Sequence, residues 1–361
     1  MDPASFRSSP RGYVTAAAAA LALACAALAS AADPGMAAVR APASSQFPVR
    51  NINVGSGSSQ VAVDAKTRTA WVAAGHLVRI SEVRQRVAAK INIGHSVDFV
   101  AVDPQRHAVW TTCSSGLCSL TEVSEKTNKV THQVSGLGTV SGIAVDPRTG
   151  PVWVAAVDAA HHNVALAVNE ATRLVVHTIR LLFGAGHVVG AITADPGTRT
   201  VWVSGIPCGT CSVRDKVAEI SEPAHQVVHL YGTPTRGIST SVVTAVDSRR
   251  GTAWLASGGI REPSGTIRVV NIAKRRVVRT VRTSWVAPEG IAIDSRARMV
   301  VATGGSTPGT PDSVVVLKES TGAQVGRHSV GFYPNLLTVD PGTGNVYVPI
   351  VFKNVVVQFH L

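Results

Sequence analysis

Four kinds of residue in this chain could do chemistry or bind a ligand. Four cysteines fall as two close pairs, Cys113 with Cys118 and Cys208 with Cys211. Such spacing suits local disulfides, a four-thiolate zinc site or a redox Cys-x-x-Cys. Asp98, Glu289 and Asn335 offer oxygen atoms of the kind that hold Ca²⁺ or another divalent cation. His95 and His187 carry the side chain of general acids and bases. Arg214, Lys216, Arg236 and Arg261, with Trp285, could contact an anionic ligand. His-Glu-x-x-His, Gly-x-Ser-x-Gly, a phosphate-cradling loop and a dinucleotide fingerprint are all missing from the sequence. Whether any of these groups meet depends on the elements that carry them.

Those elements repeat. "VAVDAKTRTAWVA" begins at Val61, "VAVDPQRHAVWTT" at Val100, "IAVDPRTGPVWVA" at Ile143 and "ITADPGTRTVWVS" at Ile192. "TAVDSRRGTAWLA", "IAIDSRARMVVAT" and "LTVDPGTGNVYVP" follow at Thr244, Ile291 and Leu337. The shared aspartates are Asp64, Asp103, Asp146, Asp195, Asp247, Asp294 and Asp340, spaced by 39, 43, 49, 52, 47 and 46 residues. A period of that length is one of propeller blades. Each copy continues as a turn, a third apolar run, a polar turn and a fourth run, as in "GIAVD", "PVWVAA", "NVALAVN" and "LVVHTIRL". Four short strands repeated seven times predict an all-β fold, a seven-bladed β-propeller of four-stranded antiparallel blades. No segment carries convincing helical periodicity. Hydrophobic residues are 45% of the 361 residues, enough for a large core, and 32 Gly and 19 Pro punctuate the whole chain as turns.

The last copy lacks a fourth strand, and an unclaimed strand, "FPVRNINVG", precedes the first copy at Phe47 to Gly55. It is expected to pair with the last blade, closing the ring and removing an open edge. The "AVDP", "VWVAA", "AWVAAG" and "VYVPI" runs resemble the YVTN-type β-propeller repeat over residues 47–361. Here Trp usually replaces that repeat's Tyr, and Ala its Thr. The resemblance implies a secreted binding or surface protein, and no catalytic residue is carried over from it.

Residues 1–31 read as a signal peptide. Arg7 and Arg11 precede the apolar run Val14 to Leu28, and Ala29-Ser30-Ala31 offers a small-x-small cleavage site. Cys25 would be the lipidated residue of an envelope-anchored form, the less favoured alternative. Residues 32–46 are Ala/Pro/Ser-rich and read as a flexible segment before the propeller at 47–361. No transmembrane segment is expected in the mature chain. Formal net charge is +12, and the charges through residue 33 (Asp2, Arg7, Arg11 and Asp33) cancel, so the rest of the chain carries the whole excess. A basic exported protein is drawn to anionic polymers such as nucleic acid or envelope polymers.

Mapped onto blades, the aspartates are turn residues and the tryptophans pack blade against blade. The cysteine pairs lie in blades two and four, too far apart for one zinc site, so disulfides Cys113–Cys118 and Cys208–Cys211 are expected. The variable loops gather on one face, opposite the uniform Asp turns, and function is expected there. The residue five before each aspartate is expected to open onto the central channel. That ring reads Ser59, Asp98, Ser141, Gly190, Val242, Glu289 and Asn335. The acidic members resemble, in residue types only, the metal site of gluconolactonase-like propellers. The leading expectation is a secreted, non-enzymatic and monomeric propeller binding a protein or anionic polymer through its loop-rich face. Arg214, Lys216, Arg236, Arg261, Trp285, His95 and His187 are the candidate contacts, the two histidines being expected in equivalent inter-blade loops of blades two and four. The alternative is a metal-dependent hydrolase or lyase with a divalent cation on Asp98, Glu289 and Asn335, and His95 or His187 as base. No other cofactor is expected.

Overall fold

Every regular element among the described residues of the computed structural model is a strand. The described residues are 48–114, 119–207, 214–233, 239–259, 265–283, 288–304 and 312–361. The leader, the segment to residue 46, Cys118, Cys208, Cys211, Arg236, Arg261 and Trp285 lie outside them.

Twenty-eight strands form seven four-stranded sheets. Every strand pair within them is antiparallel, as in the third blade. That blade runs β10 (Thr139–Val145), β11 (Pro151–Val157), β12 (Asn163–Asn169) and β13 (Val175–Arg180) from inside outward. The middle strands are almost wholly buried, because neighbouring blades cover both of their faces. That explains why they read as continuous apolar runs rather than alternating ones. The outer strand β13 is mostly exposed. Residues from the innermost strands of all seven blades, from Gln60 in the first to Leu336 in the last, line one central cavity of about 270 Å³. The disc is therefore a closed seven-bladed β-propeller, as the repeat predicts.

Ring closure follows the expected route. The N-terminal strand β1 (Arg50–Asn53) pairs antiparallel with β28 (Val355–His360), from Arg50 opposite Gln358 to Asn53 opposite Val355. The last blade is thus completed from the opposite end of the chain, in the order β1, β28, β27 (Asn345–Ile350), β26 (Thr338–Val339).

The core lies between blades. One cluster joins Trp110 and Leu120 of the second blade to Val152, Val154 and Leu166 of the third. Another joins Ile52, Tyr347 and Val356 of the last blade to Val61, Val72 and Val78 of the first. Trp71, Trp110, Trp153, Trp202, Trp254 and Tyr347 are all fully buried. The cross-strand partner of each tryptophan on the innermost strand is Ala or Thr, as Ala144 is for Trp153 and Thr193 for Trp202. These small partners leave room for the indole.

All seven repeat aspartates are buried. Each accepts a hydrogen bond from the amide two or three residues on, as Asp146 does from Arg148 N at 2.7 Å and Asp340 from Gly342 N at 2.8 Å. The turn role expected of them holds. The fourth residue after each aspartate has positive φ, and it is glycine at 150, 251 and 344 but Arg68, His107, Arg199 and Arg298 elsewhere. Gly150 has a second reason to lack a side chain, since a Cβ there would meet the Arg106 guanidinium at 2.8 Å.

Because β1 alone covers the edge of β28, a chain beginning at Ser56 should expose that edge. It is expected to aggregate or to melt well below the parent in size-exclusion and thermal-melting measurements. A monomer with unchanged melting temperature would show that closure adds nothing.

Candidate functional site

The channel is lined differently from expectation. Position five before the aspartate faces the cavity at Ser141, while Val242 is buried at 1% exposure. Instead, the residues four before the aspartate line it, among them Gln60, Phe99, Gly142, Ala191, Val243 and Leu336. Strand alternation then brings in residues two before, such as Thr193 and Thr338. Bulges at Val140/Gly142, Val189/Ile192 and Ser239/Ser241 interrupt the innermost strands of the third, fourth and fifth blades. The cavity wall is uncharged, with Gln60, Ser141, Thr193, Thr244 and Thr338 as its polar members.

The candidate oxygen ligands sit in distinct settings. The Asp98 carboxylate accepts from Ser114 N at 2.8 Å and from Ser114 Oγ at 2.7 Å, which ties down the start of the next loop. Asn335 Oδ1 accepts from Leu336 N at 2.8 Å. Glu289 keeps partial solvent access. The protein packed around it pushes its carboxyl up to about 7, with the like charge of Asp312 adding to the effect. The Asn335 backbone runs close beside Gly290, so Glu289 and Asn335 are neighbours in adjacent blades.

The two histidines are tied to backbone or side-chain oxygens. His95 Nδ1 lies 2.7 Å from Ser96 O, and its Nε2 lies 3.1 Å from Thr121 Oγ1. His187 opens the strand β14 (His187–Asp195) rather than lying in a loop. It is buried at 9% exposure, with Nε2 2.7 Å from Arg214 O.

Cationic groups gather where blades three to five meet the loop-bearing face. Lys216, first residue of β16 (Lys216–Ser221), donates to Phe183 O at 2.5 Å. Arg268 of the fifth blade donates to Gly232 O of the fourth. Burial, then the charge of Arg214, lowers the Arg268 pKa from its ordinary value. Arg180 and Arg282 end the outer strands of blades three and five at this same face and are exposed.

The opposite half of the disc holds an arrangement that the thirteen-residue motif does not announce. Trp71 Nε1 donates to Glu125 at 2.8 Å, Trp110 to Glu170 at 2.9 Å and Trp153 to Glu222 at 2.9 Å. Tyr347 Oη donates to Glu82 at 2.8 Å, across the seam between last and first blades. Each glutamate follows the third strand of the blade after the aromatic. Each also meets the repeat aspartate of the aromatic's own blade, so two carboxyl groups share one buried pocket. Burial first, then the hydrogen bond to Asp103 and its charge, pushes Glu170 up to about 8. Glu222 rises to about 8 against Asp146, and Glu82 to about 7. Glu319, beside Asp247, also rises to about 7. Burial would raise Asp103 too, but hydrogen bonds from Glu170, Arg106 and the turn amides hold it below 3.8. The glutamate therefore keeps the proton and the aspartate the charge.

The chain matches no known protein-family model and no curated protein. Among solved structures it is similar to the β-propeller domain of Myceliophteria thermophila Cps50 (Swd1). That likeness has a TM-score of 0.65 at 12% identity and covers 87% of this chain and 100% of that one. It is also similar to Kuenenia stuttgartiensis hydrazine synthase, with a TM-score of 0.68 at 13% identity, covering 90% of this chain and 99% of that one. At these identities the likeness shows the propeller fold alone. Membership of the YVTN repeat family is not shown. Among the described residues, no helix is long and apolar enough to cross a membrane.

Raised glutamate pKa values tie the ring to pH. A carboxyl whose folded pKa exceeds its unfolded value of 4.5 stabilises the fold fully below 4.5 and loses that contribution as pH rises through the folded value. Asp103, Asp146 and Asp247 have the opposite sign, and their contribution disappears as pH falls below 3.8. Thermal melts should therefore drop from pH about 4.5 to pH about 8, where Glu170 and Glu222 hold a proton in the folded chain but not in the unfolded one, and level off above that. Glu170→Gln, which keeps the acceptor for Trp110, should flatten that limb. Melts that are level over this range would refute proton sharing at the interfaces.

Proposed function

We propose that this chain is an exported propeller that binds an anionic polymer through the loop-bearing face of blades three to five. The observation that carries it is the crowding of Arg214, Lys216 and Arg268, flanked by exposed Arg180 and Arg282. Like charges held this close raise the energy of the free protein, and a polyanion laid across them relieves it. The net charge of +12 acts in the same direction at longer range. Arg236 and Arg261 belong to loops that sequence places on this face, and they extend the proposed contact, with Trp285 as a stacking platform. The propeller architecture, shared with proteins of unrelated sequence, supplies a rigid frame for such a surface.

Titration with a short duplex DNA, used as a model polyanion, tests the electrostatic mode. Log affinity should fall linearly with log salt, and Arg214→Ala/Arg282→Ala should reduce the slope by about 2, one per lost phosphate contact. Binding that ignores salt, or a double variant with unchanged slope, would remove the basis for this function.

Export is inferred from the leader at residues 1–31 and from the cysteine spacing, which suits disulfides Cys113–Cys118 and Cys208–Cys211 in an oxidising setting. N-terminal sequencing of the protein from its native producer should begin just after Ala31. An intact leader, or a blocked end at Cys25, would count against simple secretion.

A further inference from the structure

The buried acid pairs between blades differ in what lies beside them. At the second interface Arg106 bridges Asp103 at 2.7 Å and Glu170 at 2.9 Å. At the fifth, Arg250 bridges Asp247 at 2.5 Å and Glu319 at 3.0 Å. Both arginines stand three residues after their aspartate. The first blade has Thr67 at that place, and its hydroxyl donates to Asp64 at 2.9 Å. Beside the first pair, Asp64 with Glu125, stands His107, the left-handed residue of the following turn. The same turn position in other blades holds glycine or Arg68, Arg199 and Arg298, none of which can ligate a metal.

Asp64, His107 and Glu125 bring one ligand atom each to within 4.8 Å of one another. His107 Nδ1 lies 3.7 Å from Glu125 Oε2. Trp71 holds the other oxygen of Glu125 at 2.8 Å, which fixes the orientation of the carboxylate. Glu125 Oε2 is buried, without a hydrogen-bond partner, in a residue only 3% exposed. It points toward the other two ligands. Asp64 is fully buried and is steadied by Lys66 N at 2.8 Å and by Thr67. These contacts have the form of the outer shell that orients metal-binding carboxylates. The His107 side chain is 36% exposed, so an ion can enter from solvent and keep a water as its fourth ligand.

We propose that Asp64, His107 and Glu125 bind one zinc-class divalent ion, which clamps the first blade to the second. One imidazole and two carboxylates suit zinc and its neighbours better than calcium or magnesium, which take oxygen alone. Zinc bonds to N and O of about 2.1 Å put tetrahedral ligand atoms about 3.4 Å apart. Closing from the observed separations needs a modest inward turn of His107, which its exposure allows.

Calorimetric titration of ZnCl₂ into the chelator-washed full chain tests the proposal. One saturable site is expected, with a melting temperature that climbs as zinc is added. His107→Arg should fold, since arginine already occupies this backbone conformation in three blades. It should weaken zinc by at least about 100-fold, because loss of an outer-shell partner alone costs roughly 10- to 100-fold. Glu125→Gln, which keeps an acceptor for Trp71, should weaken zinc in the same direction. Absence of a saturable site, or a site untouched by His107→Arg, would overturn the assignment. So would a site lost in Glu289→Ala and kept in His107→Arg, which would move the ion to the channel mouth.

Discussion

A buried aromatic N–H or O–H is stabilised by an acceptor, and at four interfaces of this propeller the acceptor stands on the next blade. Trp71, Trp110 and Trp153 reach Glu125, Glu170 and Glu222, and Tyr347 reaches Glu82 across the seam. An unpaired buried donor costs about 1–3 kcal/mol, so the acceptor is constrained wherever the aromatic is kept. Trp254 departs from this pattern, its Nε1 buried without a hydrogen-bond partner among the described residues although Glu319 closes the third strand of the next blade. The remaining interfaces follow the same logic. Ile272 stands at the glutamate's place in the fifth blade, and Trp202 turns instead to its own Thr200 at 2.9 Å. The sixth blade has Val301 in the aromatic position, and the last blade has Leu361 in the glutamate's. There donor and acceptor are both gone, and the contact is apolar on both sides.

This requirement brings a second one with it. A glutamate placed for the indole also falls against a turn aspartate that the hairpin needs, and two carboxylates in one pocket repel. The hairpin cannot release its aspartate, because the side chain caps the turn amides, as Asp103 does for Gln105 N at 2.7 Å and Arg106 N at 3.2 Å. The face bearing these turns is thus fully occupied by the work of holding blades together. The opposite face is exempt from that constraint, and its charges differ from blade to blade. Blades three to five carry Arg180, Arg214, Lys216, Arg268 and Arg282, while Glu289 and Asp312 lie together in the sixth. Variation between blades is tolerable only where no repeat contact depends on the residue.

The turn aspartates, the tryptophan wedges and the closing strand were legible because each rests on local pattern or on counting strands. The glutamates were not, although Glu82, Glu125, Glu170, Glu222 and Glu319 each close a third strand after Ser, Asn or Lys. Their partner is on a different blade, 54 to 69 residues away for the three tryptophan pairs, and no window within one repeat contains both. Aligning whole blades, rather than their thirteen-residue motif, carries the signal. The channel ring was misread by one position. A strand's parity decides which side chains face a cavity, and a strand covered on both faces leaves that parity unmarked in its hydrophobic spacing. His187 misled for a related reason, since its strand runs farther into the expected loop than the first blade's innermost strand does, spanning nine residues against five.

The interfaces solve one electrostatic problem by different means, and the means are not equivalent. An arginine, as at Asp103 and Glu170, supplies a permanent charge that neither solvent pH nor ions in solution can withdraw. At Asp146 and Glu222, Thr149 Oγ1 donates to Glu222 at 3.2 Å, and the pair relies on a shared proton that the solvent can take back. Beside Asp64 and Glu125 stands an imidazole, which can be neutral, protonated or coordinated. A ring is only as closed as its weakest interface, because opening one seam exposes the packed faces of two blades at once. The stability of the whole disc is therefore set by those interfaces whose neutralising group can leave. That places its response to the surroundings in the turns, away from the face that varies.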